Sequence, residues 1–415
     1  MRKKSVFVNC METLTANRKH NEARALLNAG LKESAQRQTA TTAPAYVLTK
    51  PYVFPAVDGN MTYHTSWGSH GVKEEAETIL SVLSSFRLRS TLVKINQGPR
   101  LTQYVIEPAP GTQVQAILRH EKEFQAALHC NASLRFDNGY VYIEVPTGTE
   151  TVFLGDMLID NEYQSSSGFT MAIGMAVDGS KHYIDIAKAC HILISGMTGS
   201  GKSIVLHNLI LSLLMKKNPA QMHLYIIDPK ATEFEYYKNL AACTVVSEVN
   251  GAVELLKNLC IEMDRRYSIL ASTGCRDIDS YNTKFADAPM RRDIVFIDEL
   301  SDLMSMGGKS VEGHIVRIAQ KARACGIHLV IATQYPVAKV VTGLIKANMP
   351  TKICLRVGTV TNSMVALDMA GGEKLMGHGD MLFLPNGSLS PVRLQGGFVS
   401  ETAINNVVAG LMKNQ

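Results

Sequence analysis

Residues 196–203 read GMTGSGKS and match the pattern G-x-x-x-x-G-K-[ST] at every fixed position. The segment runs Gly196, Met197, Thr198, Gly199, Ser200, Gly201, Lys202, Ser203. An apolar run, Ile192–Ile194, leads into it, and an apolar-periodic stretch, Ile204–Leu214, leads out. Strand, glycine loop and helix form the context in which such a loop cradles phosphate. Glycines let backbone N–H groups turn inward onto phosphate oxygens, and the helix N-terminus adds partial positive charge. Lys202 is then expected to reach the β- and γ-phosphates of ATP, and Ser203 to hold Mg²⁺.

A second segment, RDIVFIDEL at 292–300, completes the expected chemistry. Its buried apolar run, Ile294–Ile297, ends in two acids, Asp298 and Glu299. Asp298 is placed to hold Mg²⁺, and Glu299 to polarise the attacking water. Acids at a strand end are common, so the motif gains weight only from the phosphate loop upstream. Asp302, one turn later, reads as a supporting carboxylate. The segment HLVIATQ ends in Thr333 and Gln334. If that strand lies between the first two, Gln334 sits beside the γ-phosphate; otherwise it caps a strand. Asp228, in IIDPK, either shares this edge of the sheet, where ligands bind in open α/β folds, or caps the turn at Pro229.

The elements that must position these groups are legible from periodicity. Apolar strands are expected at 191–195, 223–228, 292–298, 326–333 and 352–357, with helices such as 251–270 and 311–325 between them. That alternation predicts an α/β domain with a mainly parallel sheet covered on both faces. A small α+β domain precedes it: a helix in KEEAETILSVLSSF, a strand in LTQYVIEP, one long helix in TQVQAILRHEKEFQAALHC, and two strands around Asn138-Gly139. The expected divisions are an appendage at 1–71, the small domain at 72–160, the larger one at 165–400 and a tail at 401–415.

With 46% apolar and 19% charged residues, the 415-residue chain has an ordinary globular composition. A net charge of +5 over this length permits a nucleic-acid partner only through local basic surface. The longest apolar runs fall short of the roughly 18–20 residues that cross a bilayer, so no membrane contact is expected. The eight cysteines are scattered without a C-x-x-C pair, which fits a reducing cytoplasm.

Taken together, GPRLTQYVIEPAPGTQV, HILISGMTGSGKS, IIDPK, FIDELSDLM, AQKARACGIHLVIATQ, VTGLIKANMPTKI and GGEKLMGHGDMLFLP resemble the motor region of the FtsK/SpoIIIE family of double-stranded DNA translocases. The resemblance runs from about residue 75 to 400. It implies an α domain and a RecA-like P-loop NTPase β domain that assemble as a homo-hexameric ring around duplex DNA, powered by ATP hydrolysis. It also implies that Arg323, in QKARACGIH, is an arginine finger reaching a neighbouring subunit's nucleotide; without the family, Arg323 reads as a solvated residue at a helix end. Where the family often has a further basic residue acting in trans, this chain has Val360, with Lys352 or Arg356 as replacements. DNA contacts are expected after the ATQ strand. Family members usually read ATQRP and this chain reads ATQYP, placing Tyr335 where a phosphate-contacting Arg stands, with Lys346 retained and Lys339 added. The family's membrane-spanning N-terminal domain and its DNA-reading γ domain have no counterpart here, so a membrane-free motor is expected. Two other functions are compatible with these motifs: a secretion or conjugation coupling ATPase, and a DNA-clamping scaffold that binds ATP with little turnover.

Overall fold

The computed structural model describes residue 57, residues 71–148 and residues 151–413. Most of the expected 1–71 appendage therefore lies outside the described residues. The first sheet has strands β1 (Ser90–Gln97), β2 (Leu101–Pro108), β3 (Ser133–Asp137) and β4 (Tyr140–Pro146), antiparallel in the order β1-β2-β4-β3. The helix Val72–Ser85 covers it with Ala76, Ile79 and Leu83, the spacing that aligns apolar side chains on one helix face. Between β3 and β4, Asn138 (φ 48°) and Gly139 (φ 87°) take the two positive-φ positions of a tight hairpin turn.

Two features of this unit differ from expectation. The segment expected as one long helix is two, Val114–Arg119 and Glu121–Leu128. The His120 N–H bonds back only three residues, to Ile117, which tightens the turn and ends the first helix. The segment LTQYVIEP reads as an alternating strand with one exposed face, yet β2 is buried continuously from Leu101 to Ile106. Tyr104 and Ile106 face the helices, and the opposite face, with Leu101, Gln103 and Val105, is buried as well.

The second sheet has ten strands: β5 (Thr170–Ala176), β6 (Lys181–Asp185), β7 (Ile192–Ser195), β8 (Met222–Ile227), β9 (Cys243–Val246), β10 (Arg292–Ile297), β11 (Ile327–Thr333), β12 (Thr351–Leu355), β13 (Asp380–Leu384) and β14 (Val392–Gly396). Their order is β6-β5-β14-β13-β12-β7-β11-β10-β8-β9, and β12 through β9 run parallel. The remaining four form an antiparallel wing. Alternate residues of the parallel strands enter opposite cores. Ile192, Ile194, Val330 and Ala332 pack with the helix Lys202–Leu214, whereas Leu193, Leu329 and Ile331 pack with Val249–Thr273 and Leu300–Lys321. Burial on both faces explains the near-continuous apolar strands.

Three boundaries move. The helix expected at 311–325 begins at Leu300, directly after the acidic pair, and kinks at Gly308 (φ 47°, ψ −130°). The Gly307-Gly308 pair interrupts the periodicity from which the helix was read. Val152, Leu154, Met157 and Leu158 belong to the larger unit's core, which places that unit's start before 160. The segment expected as a tail contains the helix Glu401–Met412, which buries Ala403, Ile404, Val407, Val408 and Leu411 in the same core.

Candidate nucleotide site

The glycine loop leaves β7 at Ser195 and enters the helix Lys202–Leu214 through Gly201. Gly199 (φ 79°) and Gly201 (φ 97°) are both left-handed. At Gly201 space matters too, because a Cβ would lie 2.5 Å from the Gly379 nitrogen. The loop is pinned from two sides: Gly196 N–H donates to the Thr333 carbonyl (3.1 Å) and Met197 N–H to that of Arg356 (2.9 Å). Among the described residues, the N–H groups of Gly199, Gly201, Lys202 and Ser203 carry no hydrogen bond. The buried Ser200 hydroxyl also lacks a partner there. Unspent donors at a helix N-terminus are what a phosphate chain requires.

Lys202 is buried, and its ammonium donates to both the carbonyl and the Oδ1 of Asp298, each at 2.6 Å. Two groups expected to meet across a nucleotide thus hold one another directly. Half-buried Ser203 and buried Asp298 fit a Mg²⁺ site, since that ion takes few protein oxygens and completes its shell with phosphate and water.

The strand β11 lies between β7 and β10, the arrangement on which the role of Gln334 depended. Thr333 pairs in register with Ser195, and Gln334 follows at the same edge. Thr198 donates to the Gln334 Oε1 at 2.8 Å, so Gln334 touches the phosphate loop. Glu299 is buried and accepts four hydrogen bonds. Its Oε1 accepts from Ser301 N–H (3.1 Å), Ser301 Oγ (2.7 Å) and Thr333 Oγ1 (2.8 Å), and its Oε2 from Gln334 N–H (2.9 Å). Asp302 lies half-buried in the first turn of the following helix. Asp228 caps its own turn, accepting from the N–H groups of Lys230, Thr232, Glu233 and Phe234.

Arg323 is exposed, just before β11 begins. It lies at the opposite end of the sheet from Lys202, separated by the length of β11, roughly 20 Å at the usual rise per residue. Its charge is felt instead at the start of β7: burial pushes the His191 imidazole down to about 4, and Arg323 adds to that shift. Arg356 is exposed at the end of β12, beside its own glycine loop. Lys352 is spoken for by Asp368 (2.5 Å), and Val360 stands half exposed at a helix start.

The expected DNA-facing groups differ in availability. Tyr335 is 64% exposed, and Lys339 is exposed with no ion pair among the described residues. Lys346 is paired with Asp368 (2.6 Å) and also donates to the Met364 carbonyl (2.8 Å).

Sequence reasoning missed the brace behind the glycine loop. Gly379 N–H donates to the Ser200 carbonyl (2.7 Å), and Arg100, from the four-stranded unit, donates to the carbonyls of Gly377 (3.3 Å) and His378 (3.1 Å). The signal was GHGD at 377–380, where two glycines with positive φ flank His378.

The FtsK alpha domain model matches residues 59–147, and the FtsK/SpoIIIE family model matches residues 154–338. The chain is 39% identical over 377 residues to the DNA translocase SftA of Bacillus subtilis, covering 86% of this chain and 39% of that protein. It is 39% identical over 350 residues to the DNA translocase FtsK of Caldanaerobacter subterraneus, covering 82% and 49% respectively. It therefore spans less than half the length of these relatives. A solved structure of the pCW3 conjugation coupling protein TcpA with ATPγS superposes with a TM-score of 0.60 at 26% identity, over 82% of this chain and 99% of that one. With both units matched in order, and the fold shared, the chain belongs to the FtsK/SpoIIIE family.

Proposed function

We propose that this chain is an ATP-driven double-stranded DNA translocase that works in the cytoplasm as a homo-hexameric ring, without sequence readout and without a membrane partner. The observation that carries this is the strand order β7-β11-β10, which gathers Lys202, Asp298, Glu299 and Gln334 at one edge and leaves Arg323 at the other. An arginine at that distance reaches a nucleotide only on another copy, which is the logic of a ring with composite sites.

In this function the free N–H groups of the loop cradle the phosphates of ATP, and Lys202 leaves Asp298 for the β- and γ-phosphates. Ser203 and Asp298 would hold Mg²⁺, which would supply positive charge to offset that of the phosphates. Glu299 polarises the attacking water, Gln334 follows the γ-phosphate, and a neighbour's Arg323 stabilises the transferring group. Tyr335, Lys339 and Lys346 contact the DNA backbone, binding without reading bases. The two units act as an α domain (72 to about 148) and a motor domain (about 152 to 412).

The test is ATP turnover with and without linear duplex DNA, together with displacement of a triplex-forming strand from that duplex. DNA-stimulated turnover with displacement is expected. Stimulation without displacement would indicate a clamp rather than a motor. The similarity to TcpA over nearly that whole chain also favours a conjugation coupling ATPase, which would act on DNA with a partner complex.

A further inference from the structure

The turn that carries Arg323 has an exposed side chain on a fully committed backbone. It joins the helix Leu300–Lys321 to β11. Surface loops usually leave their carbonyls to water. Here each of the six carbonyls from Lys321 to Gly326 accepts a hydrogen bond from the protein. That of Lys321 accepts from the Tyr267 hydroxyl, and that of Ala322 from Ile327 N–H (3.2 Å). The Arg323 carbonyl accepts from Gly326 N–H (3.2 Å), and the Ala324 carbonyl from Ile278 N–H (2.8 Å). Cys325 accepts from the Arg266 guanidinium (3.0 Å), and Gly326 from Asp293 N–H (2.9 Å).

Two of these donors are side chains, and they are neighbours on the helix Val249–Thr273. Tyr267 reaches the carbonyl two residues before Arg323, and Arg266 reaches the one two residues after it. Arg266 is buried and is itself held on every side. Its Nε donates to Glu262 Oε1 (2.8 Å), its Nη1 also to the Arg291 carbonyl (3.1 Å), and its Nη2 to Asp293 Oδ2 (2.5 Å). Asp293 lies on β10, so the bracket is anchored in the sheet. A rigid guanidinium fork cannot follow one partner without losing the others. The bracket therefore fixes where the Arg323 chain begins and leaves its charged end in solvent. It stands at the far end of β11 from its own phosphate loop.

We propose that Arg266 and Tyr267 are positioning residues for Arg323, and that their bracket presents the guanidinium to the nucleotide of a neighbouring subunit. This rests on the reading of Arg323 as a finger acting in trans. A group that stabilises charge only in the transition state gains most when its approach is organised beforehand. Neither Arg266 nor Tyr267 touches nucleotide; both act through the backbone that flanks Arg323.

The experiment measures DNA-stimulated ATP turnover in full-length rings. Tyr267→Phe removes one hydroxyl and keeps the ring. Alone, it should lower kcat by up to about tenfold, the scale of one hydrogen bond, with KM for ATP unchanged. Mixed rings then locate the effect. Arg323→Ala subunits, which keep the site and lack the finger, are mixed with finger donors inactivated by Lys202→Ala. With Tyr267→Phe added to the donor, recovered turnover should fall by the same factor. With Tyr267→Phe added to the Arg323→Ala subunit instead, recovery should match that of the original mixture. A general loss of integrity would reduce both mixtures alike. Arg266→Lys keeps the buried charge but not the fork onto the Cys325 carbonyl. It should show the same asymmetry, and it decides the matter if Tyr267→Phe chains do not assemble. Equal recovery from both donors, or equal losses in both placements, overturns the proposal. No recovery from the Lys202→Ala donor itself, in mixed rings that form, overturns the finger reading on which the proposal rests.

Discussion

Arg393, on β14, donates to Glu144, on β4 of the four-stranded sheet, and both groups are buried. The same guanidinium forks onto Asp380 at 3.0 and 2.7 Å. Asp380 follows Gly379, the residue that braces Ser200. One arginine therefore ties the α domain to the loop behind the nucleotide site. Removing one partner of a buried charge pair costs about 3–5 kcal/mol, because the other charge is stranded. Arg393→Ala strands Asp380, whereas Glu144 keeps Arg135, and it should lower denaturant stability by about that much. Arg393→Lys keeps the charge but loses the fork, and should recover only part of it. Equal stability of all three proteins would show that the contact is not formed in solution.

Acid should loosen the same junction. Burial pushes the Glu144 carboxyl upward, but the charges of Arg393 and then Arg135 outweigh it, and its pKa lies below the usual 4.5. A carboxylate with a depressed folded pKa contributes stability that is complete above its unfolded pKa and is lost as pH falls through the folded one. Unfolding midpoints should hold steady from neutral pH to about 5 and drop below about 4.5. Glu144→Gln, which does not titrate, should start lower and show a shallower acid limb. Parallel acid limbs would assign the loss to other carboxylates.

The legible parts of this protein were the contiguous ones. GMTGSGKS and FIDEL each place their groups within a few residues of a strand end, and both sit where the apolar runs put them. The placement of Gln334 depended on strand order, which periodicity along one strand does not encode; it came from pairing with both β7 and β10. The antiparallel wing escaped because its strands come from opposite ends of the larger unit, 170–185 and 380–396. Glu144 and Arg393 stand 249 residues apart, and neither is unusual in its own segment.

Lys202→Ala should abolish tight ATP binding, since it removes the charge that meets the β- and γ-phosphates. The contact with Asp298 adds a second effect: the variant should lose several kcal/mol of stability, because a buried carboxylate is left without its partner. Adding Asp298→Asn should restore much of the stability and none of the nucleotide binding. Calorimetric titration and denaturant unfolding of the two variants read these separately. If stability and binding return together, the loss in Lys202→Ala was a folding defect alone.

DNA affinity should depend more on Lys339 than on Lys346. Lys339 is exposed, whereas Lys346 shares Asp368 with Lys352. Each phosphate neutralised contributes about −0.9 to the slope of log affinity against log salt. Lys339→Ala should flatten that slope by about one for each engaged subunit, and Lys346→Ala by less. Asp368→Asn should steepen it by freeing both lysines. A loss confined to one DNA sequence would point to base readout instead.

The decisive prediction concerns Glu299 and Arg323. Glu299→Gln keeps shape and loses the carboxylate, so ATP should bind and persist unhydrolysed. Arg323→Ala should also bind ATP normally, because its side chain stands at the far end of β11 from its own phosphate loop. Arginine fingers supply on the order of 10³ to 10⁵ in rate, so turnover should nearly vanish. Mixing distinguishes the location of the finger. A Lys202→Ala subunit has no working site but still carries Arg323; an Arg323→Ala subunit has the site but no finger. Where the first stands beside the second in the right order, one complete composite site forms. Mixed rings should therefore recover part of the turnover that neither variant shows alone, with the recovered fraction following the mixing ratio. Mixed rings that form but stay inactive would place Arg323 outside the catalytic machinery, and the opposite-edge geometry would then be a feature of folding rather than of assembly.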